Sequence, residues 1–176
     1  MSDSGVAPGS LGLVQAFGNT GSAAAGRDLL GTREEAASWL HEAGWLPPEA
    51  GLSGSEHAAL LRLRDALRDT LAAHGGGASG DDAVARLTRA LAEGRLVVTV
   101  GAGSTVQLAS AARATYPSVV AAVAVAIADA AFAGSWLRLK ACTAPRCGLA
   151  FYDAAARDAS AAAVAGTGRC PAHPPA

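Results

Sequence analysis

Residues 55–74 read SEHAALLRLRDALRDTLAAH, and their spacing decides how the rest of the chain must fold. Leu60, Leu63, Leu67 and Leu71 recur every three or four residues, which puts them on one side of an α-helix. Arg62, Asp65, Arg68 and Asp69 fall mostly elsewhere, so the leucine face needs partners from other segments. Gly75-Gly76-Gly77 ends the helix. Upstream, Thr32 with Glu35 three residues on is a capping box. It opens a helix carrying Ala36, Trp39, Leu40 and Ala43 on one face, closed by Gly44 and Pro47-Pro48. Downstream, Asp81 or Asp82 is expected to cap a helix to Glu93 with Val84, Leu87 and Leu91 inward. Gly12–Phe17 reads as a short apolar element stopped by the turn-prone Gly18-Asn19-Thr20. Residues 21–26 read as a loop, and 1–10 as a flexible N-terminus.

Past Glu93 the period changes. Arg95–Val100 is short and β-branched, Gly101-Ala102-Gly103-Ser104 follows, and Thr105–Leu108 resumes, which is a hairpin pattern. The glycines do not make a dinucleotide fingerprint, because the third glycine is missing and a strand follows instead of a helix. A helix is expected from Ser118 to Ala133, after Pro117. Its most apolar stretch, Val119–Ala133, holds Asp129 and is shorter than the ~20 residues a membrane span needs, so it reads as a core helix. Trp136–Ala141 alternates apolar and basic residues and reads as a strand leading into Cys142. A domain boundary is expected near Gly134-Ser135.

Hydrophobic residues make up 51% of the 176-residue chain, which argues for a folded protein; with aromatics at 5%, the core must lean on Leu and Val. Residues 1–135 hold 9 Lys/Arg and 13 Asp/Glu, whereas 136–176 hold 5 and 2, so any affinity for a polyanion belongs to the tail. The start of the chain lacks a basic n-region followed by an apolar run, which points to a cytoplasmic protein with reduced thiols. Cysteine pairs in that setting are metal ligands more often than disulfides.

Cys142-Thr-Ala-Pro-Arg-Cys147 is C-x4-C, with Pro145 and Gly148 allowing a sharp turn, and Cys170-Pro-Ala-His173 is C-x2-H. Two close pairs joined by a longer loop is a common way to supply the four S/N ligands of tetrahedral zinc. A segment of about 40 residues has too small a core to fold unaided, so a metal would give it a reason to fold. Cys142, Cys147, Cys170 and His173 are thus the candidate ligands. Alternatives stand beside each: the first two cysteines as small core residues, and His173 as part of a Pro-rich tail. Phe151-Tyr152-Asp153 suits a short strand. No Ser–His–Asp or paired-carboxylate arrangement can be argued, so catalysis is not expected. Arg62, Arg64 and Arg68 lie beside Asp65 and Asp69 and read as a solvated, salt-bridged face. His41, His57 and His74 read as surface histidines. Trp39 and Trp45 suit the core or the wall of a ligand pocket.

Several of these segments, in this order, resemble the bacterial CGNR zinc-finger family with its N-terminal ABATE domain. The resemblance runs through Leu13-Val14-Gln15-Ala16-Phe17-Gly18-Asn19-Thr20, Asp28-Leu29-Leu30, Ala36–Leu40 and Ala43–Leu46. It resumes at Trp136–Cys142, Cys147-Gly148 and Phe151-Tyr152-Asp153. It implies a stress-induced transcription regulator whose zinc finger binds DNA or RNA and whose N-terminal domain takes an unidentified small ligand. The fold it implies is α+β: a mainly helical domain over residues 11–134 with one β-hairpin, then a treble-clef-like zinc module over 135–176. Arg138, Lys140, Arg146, Arg157 and Arg169 are the basic residues that module offers a nucleic acid. The sequence departs from the family where Pro171-Ala172-His173 replaces Gly-Asn-Arg after Cys170, and no basic helix follows. The module therefore reads as degenerate. The alternative function is a ligand-binding or protein-interaction module that has lost nucleic-acid binding.

Overall fold

The leucine helix, α3, spans Gly54–His74 and sits at the centre of a computed structural model that describes residues 5–22, 25–77, 81–144 and 147–154. Leu60, Leu63, Leu67 and Leu71 are all fully buried. Ser53 caps the helix: its hydroxyl accepts from the Glu56 N–H, and the Glu56 carboxylate accepts from the Ser53 N–H at 2.8 Å. The second capping box also forms, with Thr32 opening α2 (Arg33–Glu42). Gly44, just past its end, takes the left-handed φ of +71°.

The expected short apolar element is instead a full helix, α1 (Ser10–Asn19). Turn propensity at Gly18-Asn19 loses to burial, because Leu11, Val14 and Phe17 lie at helical spacing and all enter the core. Phe17 meets Trp39 and Trp45 in an aromatic triad with centroid separations of 5.9, 5.8 and 5.7 Å. Both tryptophans are half-buried against the core.

Helix α4 (Asp81–Leu91) has Asp81 and Asp82 inside its first turn rather than before it. It buries Ala83 and Leu87, while Val84 is 53% exposed, so its inward face is rotated from the expected one. Strands β1 (Leu96–Val100) and β2 (Val106–Ser110) form the expected antiparallel hairpin, with Val98 opposite Leu108. Helix α5 (Tyr116–Phe132) follows, with Pro117 in its first turn and Val119, Val120 and Val123 fully buried. Among the described residues, no helix is long and apolar enough to cross a membrane.

The segment after Gly134 departs most from expectation. Trp136–Arg138 is a 3-10 turn, and only Leu139–Ala141 is strand (β3). It pairs antiparallel with β4 (Ala150–Tyr152), Leu139 opposite Tyr152 and Ala141 opposite Ala150. Every residue of both strands is buried. Leu139, Ala141, Ala150 and Tyr152 join the same hydrophobic cluster as α1, α3 and α5. The described fold is thus α+β, with five helices and two small antiparallel sheets. Most of the expected treble-clef-like module, residues 155–176, lies outside the described residues.

Candidate metal site

The β3–β4 hairpin is held from several directions, and each hold uses a polar side chain. Lys140 points into the protein, and its Nζ donates to Asp153 Oδ2 at 2.9 Å, with both side chains almost completely buried. Arg138 donates through Nε to the Asp153 carbonyl at 2.9 Å and lies 4.8 Å from the Tyr152 ring centroid. From α1, Asn19 treats Ala150 as a neighbouring strand would. Its Nδ2 donates to the Ala150 carbonyl at 3.0 Å, and its Oδ1 accepts from the Ala150 N–H at 2.7 Å. Gln15, four residues earlier on the same helix face, donates to that carbonyl at 3.1 Å and to Gly5 O, and accepts from the Ala7 N–H at 2.7 Å. His74, at the end of α3, donates from Nδ1 to the Leu139 carbonyl at 2.9 Å and stands edge-on to Trp136.

Cys142 and Cys147 occupy the tip of this anchored hairpin. The Cys142 N–H donates to Leu149 O at 2.9 Å, and the Cys147 N–H to Ala144 O at 3.0 Å. Gly148 turns the chain back with φ +57°, a left-handed conformation that favours glycine. The two cysteines share a small apolar cluster with Ala144, Leu149 and Phe151. Cys147 is buried and Cys142 half-buried. Two soft sulfur donors near one hairpin tip are chemically suited to half of a tetrahedral zinc site. Among the described residues, no group of three or more His, Cys, Asp or Glu side chains is gathered to hold a metal ion. Cys170 and His173, the other candidate ligands, lie outside the described residues, as do Arg146, Arg157 and Arg169.

Two residues of the expected basic surface are engaged within the protein. Lys140 is only 1% exposed, because the apolar/basic alternation of 136–141 is resolved by a buried ion pair rather than by solvent. Arg138 is half-buried and engaged by backbone carbonyls.

Between the cysteine tip and α3 lies an open groove of about 510 Å³, lined by Asp65, Arg68 and Asp69 on one side and Cys142, Thr143 and Gly148 on the other. The arginines of α3 are not simply a solvated face. Arg64 is 7% exposed, 2.6 Å from Asp28 and 3.3 Å from Asp65. Arg68 donates to Gly21 O at 3.2 Å, and its guanidinium lies so close to Gly148 that a Cβ there would collide with it. Partial burial pushes the Asp28 carboxyl up, but the Arg64 hydrogen bond, the Leu30 N–H and the charges of Arg64 and Arg68 together leave it below the ordinary value. His41 and His57 also differ from the surface reading, since their ring nitrogens bond to Ala50 O at 2.8 Å and Leu30 O at 2.7 Å.

Residues missed in the sequence do much of this positioning: Gln15, Asn19, Asp28, Arg64 and Asp153. One available signal was Gln15 and Asn19 at i, i+4 on the buried side of an apolar run, where a polar side chain must find a partner.

With the geometry in place, comparison with known families places most of the chain. Residues 11–134 match a family model described as "Putative stress-induced transcription regulator", ABATE. The chain belongs to the ABATE family. No curated protein matches it. The ABATE match ends at Gly134, yet the residues it contributes, Gln15, Asn19, Arg68 and His74, bond to or touch the hairpin beyond it. The cysteine tip is therefore carried on the ABATE core itself.

Proposed function

We propose that this ABATE protein is a non-enzymatic cytoplasmic regulator that binds zinc at the β3–β4 tip and, through the zinc-bearing C-terminal part, nucleic acid. The observation that carries the reading is the placement of Cys142 and Cys147 at the tip of one hairpin, which α1 and α3 hold through Asn19 and His74. Cys170 and His173 would complete the ligand set. Zinc would supply folding free energy there and no reaction chemistry. Arg146, Arg157 and Arg169 are the remaining candidates for phosphate contacts, since Lys140 is committed to Asp153. The N-terminal domain would sense a small ligand, for which the groove beside Arg68 is the candidate opening.

That commitment favours a second reading, a ligand-binding or protein-interaction module without nucleic-acid binding. Two measurements separate them. Metal analysis of purified protein should find one zinc per chain, lost in Cys142→Ser and Cys147→Ser; retention of full occupancy in His173→Ala would remove that residue from the site. Binding of the zinc-loaded protein to duplex DNA and to RNA should weaken steeply with salt. No binding at low salt would leave the second reading.

A further inference from the structure

The two cysteines of the tip are placed by different means. The Cys142 N–H donates to Leu149 O, which continues the β3–β4 ladder by one residue, so strand pairing sets Cys142. The Cys147 N–H donates to Ala144 O inside the loop, so its place relative to Cys142 follows from how the chain turns between Cys147 and Leu149. That turn is Gly148, at φ +57°. Against it lies Arg68 of α3: a Cβ on Gly148 would collide with Nη2 and would lie 3.3 Å from Cζ. Glycine is therefore demanded at 148 twice, by the backbone and by the guanidinium. Arg68 is fixed from its other end, where Nη1 donates to Gly21 O at 3.2 Å. Gly21 in turn packs on Arg64, one turn earlier on α3, since a Cβ on it would lie 3.0 Å from Arg64 Nη1. Arg64 is held by Asp28 at 2.6 Å. A continuous set of contacts thus runs from the segment after α1, through two arginines of α3, to the residue that follows Cys147.

We infer that, with zinc bound at the tip as proposed above, Arg68 is the positioning residue of the site: from within the ABATE core it fixes the turn that sets Cys147. Ligands already held in place cost less to order when a metal binds. Groups outside the ligand set that hold them change metal affinity by about 10–100-fold when removed. The guanidinium suits this task by its shape. It is planar and rigid, so one nitrogen donates to Gly21 O while another lies against Gly148. Lysine would keep the charge on a flexible stem and lose one of the two contacts. The same geometry gives the Cys147-Gly148 pair its meaning: glycine follows the cysteine so that the arginine can reach the turn.

The test is titration of the full reduced chain with cobalt(II), read from thiolate-to-cobalt absorption, followed by displacement with zinc. Arg68→Gln should weaken zinc binding by about tenfold or more, and Arg68→Lys nearly as much. Gly148→Asn tests the contact from the other side, because asparagine tolerates a left-handed φ but brings a Cβ. It should weaken binding as Arg68→Gln does, and should cost little more in an Arg68→Ser background, where the space is open. Thr32→Ala removes the hydroxyl of the α2 capping box and should lower Tm with zinc affinity unchanged, which separates positioning from a general loss of stability. Circular dichroism checks folding, and Arg68→Lys and Gly148→Asn carry the test should Arg68→Gln not fold. A parent that takes up no cobalt overturns the zinc reading and this assignment together. A parent that binds zinc no better than its Arg68 variants overturns the assignment alone. So does full affinity in Arg68→Lys, which would make charge decisive and not contact. Equal weakening in Thr32→Ala, or additive losses in the double variant, overturns it as well.

Discussion

Lys140 and Asp153 form a buried ion pair on the β3–β4 hairpin that carries the candidate metal site. Burying two charges is costly unless each has its partner, so losing one member should cost far more than losing both. Lys140→Met should lower stability by about 3–5 kcal/mol in urea unfolding, because it strands the Asp153 carboxylate. Lys140→Met/Asp153→Leu should recover most of that loss. A double variant no more stable than the single would show that the pair is not the main cost. His74 makes a second prediction at this scale. Burial pushes its pKa down, the Leu139 carbonyl opposes that, and Lys140 adds to it. The unfolded chain therefore takes up a proton near the ordinary value of 6.5 while the folded one still resists. The stability His74 contributes is present above that pH and is lost as pH falls through the window below it. The Tm of His74→Gln should accordingly depend less on pH between about 6.5 and 5 than that of the parent. Asp28, held low by Arg64, contributes in the opposite range: its stabilisation is present above its ordinary 3.8 and lost only in stronger acid.

Among the elements, the clearest constraint is where backbone meets backbone. Gly94 joins α4 to β1, and a Cβ built on it would lie 2.6 Å from the Ala121 N of α5. Neither partner is a flexible side chain, so Gly94→Ala must push the hairpin away from α5. Overpacking of this kind costs about 1–3 kcal/mol, which thermal unfolding would detect. The capping boxes and the leucine face of α3 were legible because helix starts and helical periodicity are local properties. The length of α1 was not, since its last turn is stabilised by Phe17 against two tryptophans more than twenty residues away. The orientation of the β1–β2 hairpin was equally hidden. Alternation identifies two faces, but which one turns outward depends on where α5 lies.

Across the whole molecule, the hairpin of residues 139–152 completes the hydrophobic core that the ABATE segment begins. A fragment covering residues 5–134 should therefore expose the neighbours of Leu139 and Tyr152 and melt well below the full chain, with broader unfolding. The full chain should unfold in one transition seen alike by circular dichroism and tryptophan fluorescence. A fragment as stable as the parent would show that the two parts fold independently. Helices α2 to α5, the first hairpin, the α+β class and the closeness of Cys142 and Cys147 along the chain could be read from residue order, since each depends on neighbours a few positions apart. The burial of Lys140, the grip of Asn19 on Ala150 and the docking of the cysteine tip on α3 could not. They join residues 13, 131 and about 80 positions apart, and only the packed chain brings such groups within hydrogen-bond reach.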